Sequence, residues 1–280
     1  NGYGFYYALA PAVIGSLYIN WDLWAIPTML LAIYWYDRKQ FDYSAIALGV
    51  SVATKFFPVF LIVPIIIIFI RLGRSPIRYF AVLTLTWSAI NIPVAITTPR
   101  GWLHFYKFNI ERGADWGSFW FAAKNFKFSS SATNYLSLLG TLTILALLTT
   151  FIFNLNSTPR LAEISFLFLS GALLLGKVYS PQYVLWLTAL AVIALRTKST
   201  LIFFWIWQIF ELIYHVAIWQ HFAELSGAKY GLSENFYGMI CLVRIAAVIA
   251  MIYGLIRHLS ERSTQRYPWD FLFQSASTYP

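Results

Sequence analysis

The sequence has little charge and a single cysteine. Of its 280 residues, 11% are Asp, Glu, Lys or Arg, whereas a soluble domain carries about 25%. Hydrophobic residues make up 59%, and the mean hydropathy is +0.64. One cysteine, Cys241, excludes an intrachain disulfide framework and leaves the compartment open; because it lies in an apolar stretch, we expect a packing role. These features predict an integral membrane protein.

The short motifs of several enzyme classes are also missing. The sequence contains no Walker loop, dinucleotide-binding glycine pattern, Gly-x-Ser-x-Gly elbow or His-Glu-x-x-His pair. His104 has no second His or Cys at ligand spacing, so we expect no metal site within the chain, and no cofactor is predicted. The net charge is +9, but the basic residues are scattered among short connections, which argues against a nucleic-acid partner.

A series of apolar segments makes up most of the chain. The segments predicted to be helical are 3–19, 21–36, 43–70 (a broken pair), 79–96, 135–153, 161–176, 182–195, 201–219 and 236–256. We therefore expect an all-α fold, a polytopic transmembrane helical bundle of about nine to ten spans, with broken helices near the outer face. Residues 1–280 are predicted to form a single membrane domain. Because the chain begins at Asn1 and runs directly into an apolar segment, we expect it to be truncated at its N-terminus.

The short connections fall into two sets when the spans alternate. One set carries basic residues and is predicted to be cytoplasmic: Arg38, Lys39, Arg71, Arg74, Arg78, Arg160, Arg196, Lys198 and the cluster within 257–266. The other set then faces outward: 20–22, 55–58, 97–134, 177–183 and 221–235. Basic residues also lie among aromatic residues on the outer side: Arg100, Lys107, Arg112, Lys124, Lys127 and Lys229. They indicate either binding of an anionic group at the membrane surface or simple anchoring to lipid headgroups.

Two apolar runs are broken by a lysine beside aromatic residues and a proline, at 55–58 (Lys-Phe-Phe-Pro) and 177–183 (Lys-Val-Tyr-Ser-Pro-Gln-Tyr). Desolvating an ammonium costs several kcal/mol, and irregular backbone is tolerated in a membrane only against protein or a wet cavity. We therefore expect Lys55 and Lys177 to bind phosphate at a polar site. The hydroxyl and amide groups that follow Lys177 are predicted to contact the ligand: Tyr179, Ser180, Gln182 and Tyr183. Snorkelling of both lysines to the interface is the alternative.

Two carboxylates lie in outer segments beside aromatic residues. Asp22, at the outer end of a span, is suited to orient a hydroxyl, act as a base or bind a cation, and equally to cap a helix. Asp115 shares the segment 111–118 with Arg112 and Trp116. Rings beside Asp and Arg are typical of carbohydrate or phosphosugar binding, because sugar faces stack on rings and phosphate takes the guanidinium. The alternative is an amphipathic segment on the bilayer surface, which fits 120–128.

Charged groups also lie within the last two predicted spans. Gln208, Glu211 and His215 fall on one helical face, and Arg244 lies inside the final span. Glu211 and Arg244 are at a similar depth, about 12 Å from the outer helix ends. We expect the two to pair and favour a structural ion pair over a proton path.

Three motifs together resemble a known family: 20–23 (Asn-Trp-Asp-Leu), 49–58 (a glycine-containing helix end followed by Ala-Thr-Lys-Phe-Phe-Pro) and 177–186 (Lys-Val-Tyr-Ser-Pro-Gln-Tyr-Val-Leu-Trp). They resemble the membrane-embedded GT-C glycosyltransferases, and most closely glycosyltransferase family 87, the polyprenyl-phosphate-mannose-dependent mannosyltransferases. The resemblance covers residues 20–186. It implies an inverting hexosyltransferase, multi-pass in the plasma membrane of a bacterium. Such an enzyme moves a sugar, mannose in this family, from a polyprenyl-phosphate carrier to a glycolipid or glycan acceptor on the outer face.

The resemblance also bears on the roles of individual residues. The family's general base lies in the first outer loop, which would precede Asn1, so no catalytic base is assigned in this chain and the isolated chain is expected to be inactive; Asp22 and Asp115 are the fallback candidates. A lipid phosphate is a good leaving group that needs cations more than a general acid, and Lys55, Lys177 and Arg112 are available for that. The predicted substrate-binding residues are Asn20, Trp21, Asp22, Lys55, Arg112, Asp115, Lys177, Tyr179, Ser180, Gln182 and Tyr183.

Two other classes compete with this interpretation. A membrane transporter or lipid flippase also uses broken helices and intramembrane charge, but the polar breaks here lie toward the outer side and no inverted halves are visible. A noncatalytic membrane scaffold with a decayed site is the third. In every case membrane lipids are expected partners.

Overall fold

A computed structural model describes residues 4–124, 128–195 and 197–264. The described residues form helices and connections, with no β-strand among them, which confirms the predicted all-α class. Four sequence predictions lie outside these ranges: the first residue of the 3–19 span, Lys127, Arg196 and the end of the 257–266 cluster. In chain order the α-helices are α1 (Gly4–Leu9), α2 (Pro11–Ser16), α3 (Ala25–Asp37), α4 (Phe41–Thr54), α5 (Ile62–Arg71), α6 (Ile77–Thr97), α7 (Pro99–Glu111), α8 (Phe119–Ala122), α9 (Ser130–Phe153), α10 (Leu161–Leu175), α11 (Tyr183–Ala194), α12 (Lys198–Leu225) and α13 (Glu234–Thr264).

Four of the described helices, α6, α9, α12 and α13, are long and apolar enough to cross a membrane. By length and composition, these helices make the chain a membrane protein. Several other predicted spans are shorter helices: α4 has 14 residues, α10 has 15 and α11 has 12. At 1.5 Å per residue these three measure about 18 to 22 Å, less than the ~30 Å of a hydrocarbon core. Helix length therefore does not confirm the predicted number of nine to ten spans.

The first predicted span, 3–19, is not one continuous helix. Its described part consists of the six-residue helices α1 and α2, separated at Ala10. Pro11 is the first residue of α2, and its ring removes the N–H that would continue α1. The prediction of a single span there was wrong.

Both predicted breaks are present. The chain leaves α4 at Lys55, whose backbone is extended (φ −150°, ψ 140°), and passes through a 3₁₀ helix, Phe57–Leu61, into α5. The second break separates α10 from α11, and Gly176 leaves α10 with extended backbone. Neither break is longer than a few residues, so each leaves backbone groups that must find partners outside a helix.

The outer segment 97–134 contains a helix where a loop was expected. Thr98 ends α6, and α7 begins at Pro99, a residue favoured in a first helical turn. The Nε1–H of Trp102 in α7 donates to Asn91 of α6 at 3.1 Å. The rings of α7 also approach Phe56 at the first break, with a centroid distance of 6.2 Å to Phe105. The aromatic residues of this segment therefore hold α7 beside the break. In the stretch 120–128, which was predicted to be amphipathic, the described residues contain one α-helix, α8.

The helix connections gather at two ends of the bundle. At what we call the basic end (38–40, 71–76, 154–160, 197–199 and the last turns of α13), Arg71 donates to the carbonyl of Leu155 at 2.7 Å. Arg160 and Arg262 there pair with the buried carboxylate of Glu163 at 3.1 and 3.0 Å. Arg71, Arg160 and Arg262, three of the basic residues predicted to be cytoplasmic, therefore lie at this same end. The opposite end, here the aromatic end, comprises 20–24, 55–58, 112–124, 176–182 and 226–233.

Candidate functional site

The first predicted break lies against the first predicted carboxylate. Lys55 Nζ donates to Asp22 Oδ2 at 3.4 Å, and Trp186 Nε1–H donates to Asp22 Oδ1 at 2.8 Å. Asp22 is fully buried, whereas the Lys55 side chain is 23% exposed. Burial raises the pKa of the Asp22 carboxyl, and the Lys55 ammonium and the Trp186 N–H oppose that shift. The motifs at 20–23, 49–58 and 177–186 therefore meet at one point.

Stacked aromatic rings lie beside the contacts of Asp22. The ring of Trp186 lies between Phe57 and Tyr183, with centroid distances of 3.9 and 3.7 Å. Sequence reasoning placed Tyr183 at the site but assigned no role to Trp186 or Phe57. The signal was available, because both residues belong to the motifs that follow the two lysines.

Asn20 and Trp21, the two predicted substrate-binding residues before Asp22, have different surroundings. Asn20 accepts a hydrogen bond from the backbone N–H of Trp21 at 2.8 Å and begins the 3₁₀ helix Trp21–Trp24. Capping, which was the alternative for Asp22, is therefore done by Asn20. Trp21 is 65% exposed, and the Lys55 ammonium lies 5.4 Å from its ring centroid.

The second carboxylate joins the second break. Asp115 donates its backbone N–H to the carbonyl of Lys177 at 2.7 Å and accepts the Ser180 hydroxyl at 2.8 Å. Arg112 lies 3.5 Å from the other carboxylate oxygen of Asp115. The predicted residues Arg112, Asp115, Lys177 and Ser180 therefore form one cluster, and the Asp115 side chain keeps 14% of its surface exposed.

Lys177 has partners of a different kind from those of Lys55. Its Nζ donates to the backbone carbonyl of Ile110 at 2.8 Å and to Asn134 Oδ1 at 2.9 Å. Both acceptors are neutral. Burial and the neighbouring Arg112 lower the pKa of the Lys177 ammonium, so a nearby anion would offset both effects.

Tyr183 connects the two clusters. Its ring stacks on Trp186, and its backbone N–H donates to the carbonyl of Ser180 at 3.1 Å; the Ser180 hydroxyl in turn donates to Asp115. Tyr179 points the other way, into the interior, where it is fully buried. Gln182 is the residue before the first turn of α11; it is half-buried and its side chain does not cap the helix.

The predicted pair of Glu211 and Arg244 is present and buried. Arg244 Nε lies 2.9 Å from Glu211 Oε2, and both side chains are at most 1% exposed. Tyr179 donates its hydroxyl to the other oxygen of Glu211 at 2.8 Å. The guanidinium of Arg244 lies between the rings of Tyr179 and Tyr214, at 3.5 and 3.8 Å from their centroids. Cation–π contacts and hydrogen bonds together compensate the buried charge.

The second break lies well inside the bundle. Glu211, which holds Tyr179, is near the middle of the 28-residue helix α12, about 20 Å from each end at 1.5 Å per residue. The segment 177–183 thus contacts α12 near its middle, whereas Trp116 in 112–118 contacts His221 and Tyr237, nearer the ends of α12 and α13 that 226–233 connects. Irregular backbone at such a depth needs protein partners or a wet cavity, and the short helices α10 and α11 leave room for it.

A cavity opens beside this cluster, between the end of α7 and the beginning of α9. Its volume is about 340 Å³. Polar and aromatic side chains line it, among them Arg112, Trp120, Lys124, Thr133 and Asn134. The cavity is large enough for a small polar group such as a sugar ring or a phosphate.

A metal ion has no evident place among the described residues. Within 4–124, 128–195 and 197–264, no three His, Cys, Asp or Glu side chains are grouped to hold one.

Comparisons with known proteins return no relative for this chain. No protein-family model matches it, and searches of curated proteins and of solved structures give no match.

Proposed function

We propose that this protein is an integral-membrane glycosyltransferase of GT-C type. It transfers a sugar, mannose by the resemblance to glycosyltransferase family 87, from a polyprenyl-phosphate donor to a glycolipid or glycan acceptor. It works in the plasma membrane of a bacterium, with the aromatic end facing outward. The observation that carries the proposal is the convergence of three sequence-distant motifs on one polar cluster beside short helices.

The position of the cluster suits a lipid-linked donor. A polyprenyl chain stays in the hydrocarbon while its phosphate needs cations at the membrane boundary. Lys55 and Lys177 each stand at the end of a helix shorter than the hydrocarbon thickness. Trp21 and the stack of Phe57, Trp186 and Tyr183 offer ring faces on which a sugar packs.

The reaction requires few groups from the protein. The acceptor hydroxyl oxygen forms a bond to the anomeric carbon, and the bond from that carbon to the phosphate oxygen breaks. The leaving polyprenyl phosphate keeps the electron pair, and the hydroxyl proton goes to a carboxylate. Lys177, whose partners are neutral acceptors, is placed to stabilise the negative charge that develops on the leaving phosphate.

Of the two fallback carboxylates, Asp115 is better placed to contact substrate. Both oxygens of Asp22 are already engaged, by Lys55 and Trp186, and the side chain is fully buried. Its contacts favour a role in holding Lys55 and Trp186 together. Asp115 keeps part of its surface exposed beside the cavity residue Arg112. Assignment of the base to an outer loop before Asn1, implied by the family resemblance, stays a prediction.

The test is transfer in membranes from a bacterial host that expresses the complete gene. Radiolabelled polyprenyl-phosphate mannose is added, and label is followed into lipid and glycan products. We expect label in a product only where the gene is expressed, and no change when an ionophore collapses the ion gradients. Movement of intact donor or another solute that stops on addition of the ionophore would support the transporter or flippase instead.

A further inference from the structure

Arg244 is the point at which two irregular backbone segments meet. Its guanidinium donates to the carbonyls of Tyr179 at 2.7 Å and Ser180 at 3.3 Å, both in the second break. It also reaches the carbonyl of Gly117 at 3.5 Å, in the outer segment that carries Asp115. Its Nε–H donates to Glu211. The fully buried guanidinium of Arg244 therefore joins two segments that are more than 60 residues apart in the chain.

The two segments carry the polar groups of the candidate site. The outer segment brings Asp115, and the break brings Ser180, which donates to Asp115 at 2.8 Å. Arg244 donates to backbone carbonyls of both segments and not to the side chains of Asp115 or Ser180. It is placed to fix the register of Asp115 against Ser180.

Gly117 shows how tightly this junction is closed. A Cβ atom there would overlap the Tyr179 carbonyl and the Tyr214 hydroxyl and would lie 2.8 Å from an Arg244 nitrogen. The Tyr179 carbonyl and the Arg244 guanidinium belong to the junction itself. A residue larger than glycine at position 117 would therefore displace the segment 112–118. Close backbone approach at this point is what lets the guanidinium reach both segments.

A second buried carboxylate offers a comparison. Glu163 at the basic end pairs with Arg262 at 3.0 Å and with Arg160 at 3.1 Å. The guanidiniums there are about a quarter exposed (27% and 25%), and the contacts join helix ends away from the candidate site. This pair stabilises the fold without touching the segments 112–118 and 177–183.

We infer that Glu211 and Arg244 form a positioning pair that sets the geometry of Asp115 and Ser180 for sugar transfer. The inference rests on the proposed function, because it takes those two side chains as parts of the substrate site. It differs from a purely structural ion pair in what replacement by apolar residues should do. A structural pair can be exchanged for well-packed apolar side chains with little loss, whereas a positioning pair loses the bonds from Arg244 to the carbonyls.

The experiment compares the double variant Glu211→Leu/Arg244→Met with the double variant Glu163→Leu/Arg262→Met. Thermal unfolding in detergent, hydrogen–deuterium exchange and steady-state transfer are measured on each. We expect Glu211→Leu/Arg244→Met to fold, with a lowered unfolding temperature because buried carbonyls and the Tyr179 and Trp207 donors lose their partners, and to show faster exchange in both 112–118 and 177–183. Its kcat should fall by about 10²-fold, the effect of misplacing reacting groups by an ångström, with a smaller change in the donor KM. The Glu163→Leu/Arg262→Met control should keep wild-type kcat and wild-type exchange in those segments.

Arg244→Lys carries the same test if the first double variant does not fold. A lysine retains the charge opposite Glu211 but lacks the fork that reaches three carbonyls, so kcat should again fall more than stability. Wild-type kcat in either variant at the junction, with unchanged exchange of both segments, would overturn the inference. If the wild-type protein transfers no sugar, it is the proposed function that fails, and the exchange measurement still decides whether Arg244 holds the two segments.

Discussion

At the scale of single residues, the three cationic side chains of the candidate site differ in the groups that balance their positive charge. Lys55 faces the Asp22 carboxylate and Arg112 faces Asp115, at 3.4 and 3.5 Å. Lys177 is held by a carbonyl and an amide oxygen. A neutral acceptor fixes the position of an ammonium without cancelling its charge, so Lys177 presents the largest uncompensated charge to an incoming phosphate.

We predict that Lys177→Met weakens binding of a polyprenyl-phosphate sugar by roughly 1.5 to 3 kcal/mol, the worth of a charge-assisted hydrogen bond. Lys55→Met should weaken it as well, and it should also destabilise the protein, because it leaves the buried Asp22 carboxylate without its cation. Equilibrium binding of labelled donor to purified protein measures the first effect, and thermal unfolding the second. Lys198→Met, at an exposed lysine of the basic end, is the control. Unchanged donor binding in both site variants would mean that the two lysines are interface anchors.

The sequence predicted which residues of the site carry charge, but not all of their partners. The two lysines, Asp22 and Asp115 could be identified because each is a polar residue inside an apolar context. Trp186 belongs to a recognised motif, but its bond to Asp22 and the role of Asn134 could not be predicted, because both depend on contacts made more than 40 positions away. The pairing of Glu211 with Arg244 was predictable from depth alone, since both helices are long and uninterrupted.

At the scale of elements, prolines and glycines determined how well the helices could be predicted. The break after Lys55 was recognised because Pro58 follows a charged residue by three positions within an apolar run. The break at Ala10 was missed, since Pro11 lies in an uncharged stretch that reads as one span. Helix α7 was taken for a loop because its rings and charges resemble a binding surface, and its contacts with Asn91 and Phe56 come from other elements.

The packing of α4 against α6 depends on a close approach at Gly49. A Cβ atom there would lie 2.8 Å from the Leu83 carbonyl oxygen and 2.8 Å from the Thr86 Cβ. We predict that Gly49→Ala destabilises the protein by about 1 to 3 kcal/mol, as overpacking does, and shifts Lys55 at the end of α4. Gly238→Ala in α13 is the matched control, because a Cβ there meets its nearest neighbour at an ordinary 3.8 Å. Thermal unfolding of both variants in the same detergent checks the prediction; equal stability of the two would show that α4 and α6 separate at no cost.

At the scale of the whole molecule, long and short helices together shape the bundle. The 28-residue α12 and 31-residue α13 measure about 42 and 46 Å. The helices that carry the two breaks are about half as long. Lys55 and Lys177, the lysines predicted to bind phosphate, follow the ends of the short helices α4 and α10. Hydropathy alone did not reveal this, because it counts apolar residues without showing where a helix stops.

We predict from charge which side of the membrane each end of the bundle faces. Arginines and lysines gather in the connections of the basic end, and such a bias marks the cytoplasmic side. Single cysteines at Ser75 and Ser199, exposed positions of the basic end, should react with a membrane-impermeant maleimide only after permeabilisation. A cysteine at the exposed Ser226, in the connection at the aromatic end, should react in intact cells. The native Cys241 is fully buried, so the parent protein gives the background. Labelling of the Ser75 and Ser199 positions in intact cells, with protection of the Ser226 position, would invert the topology and place the candidate site on the cytoplasmic side, where an extracytoplasmic donor could not reach it.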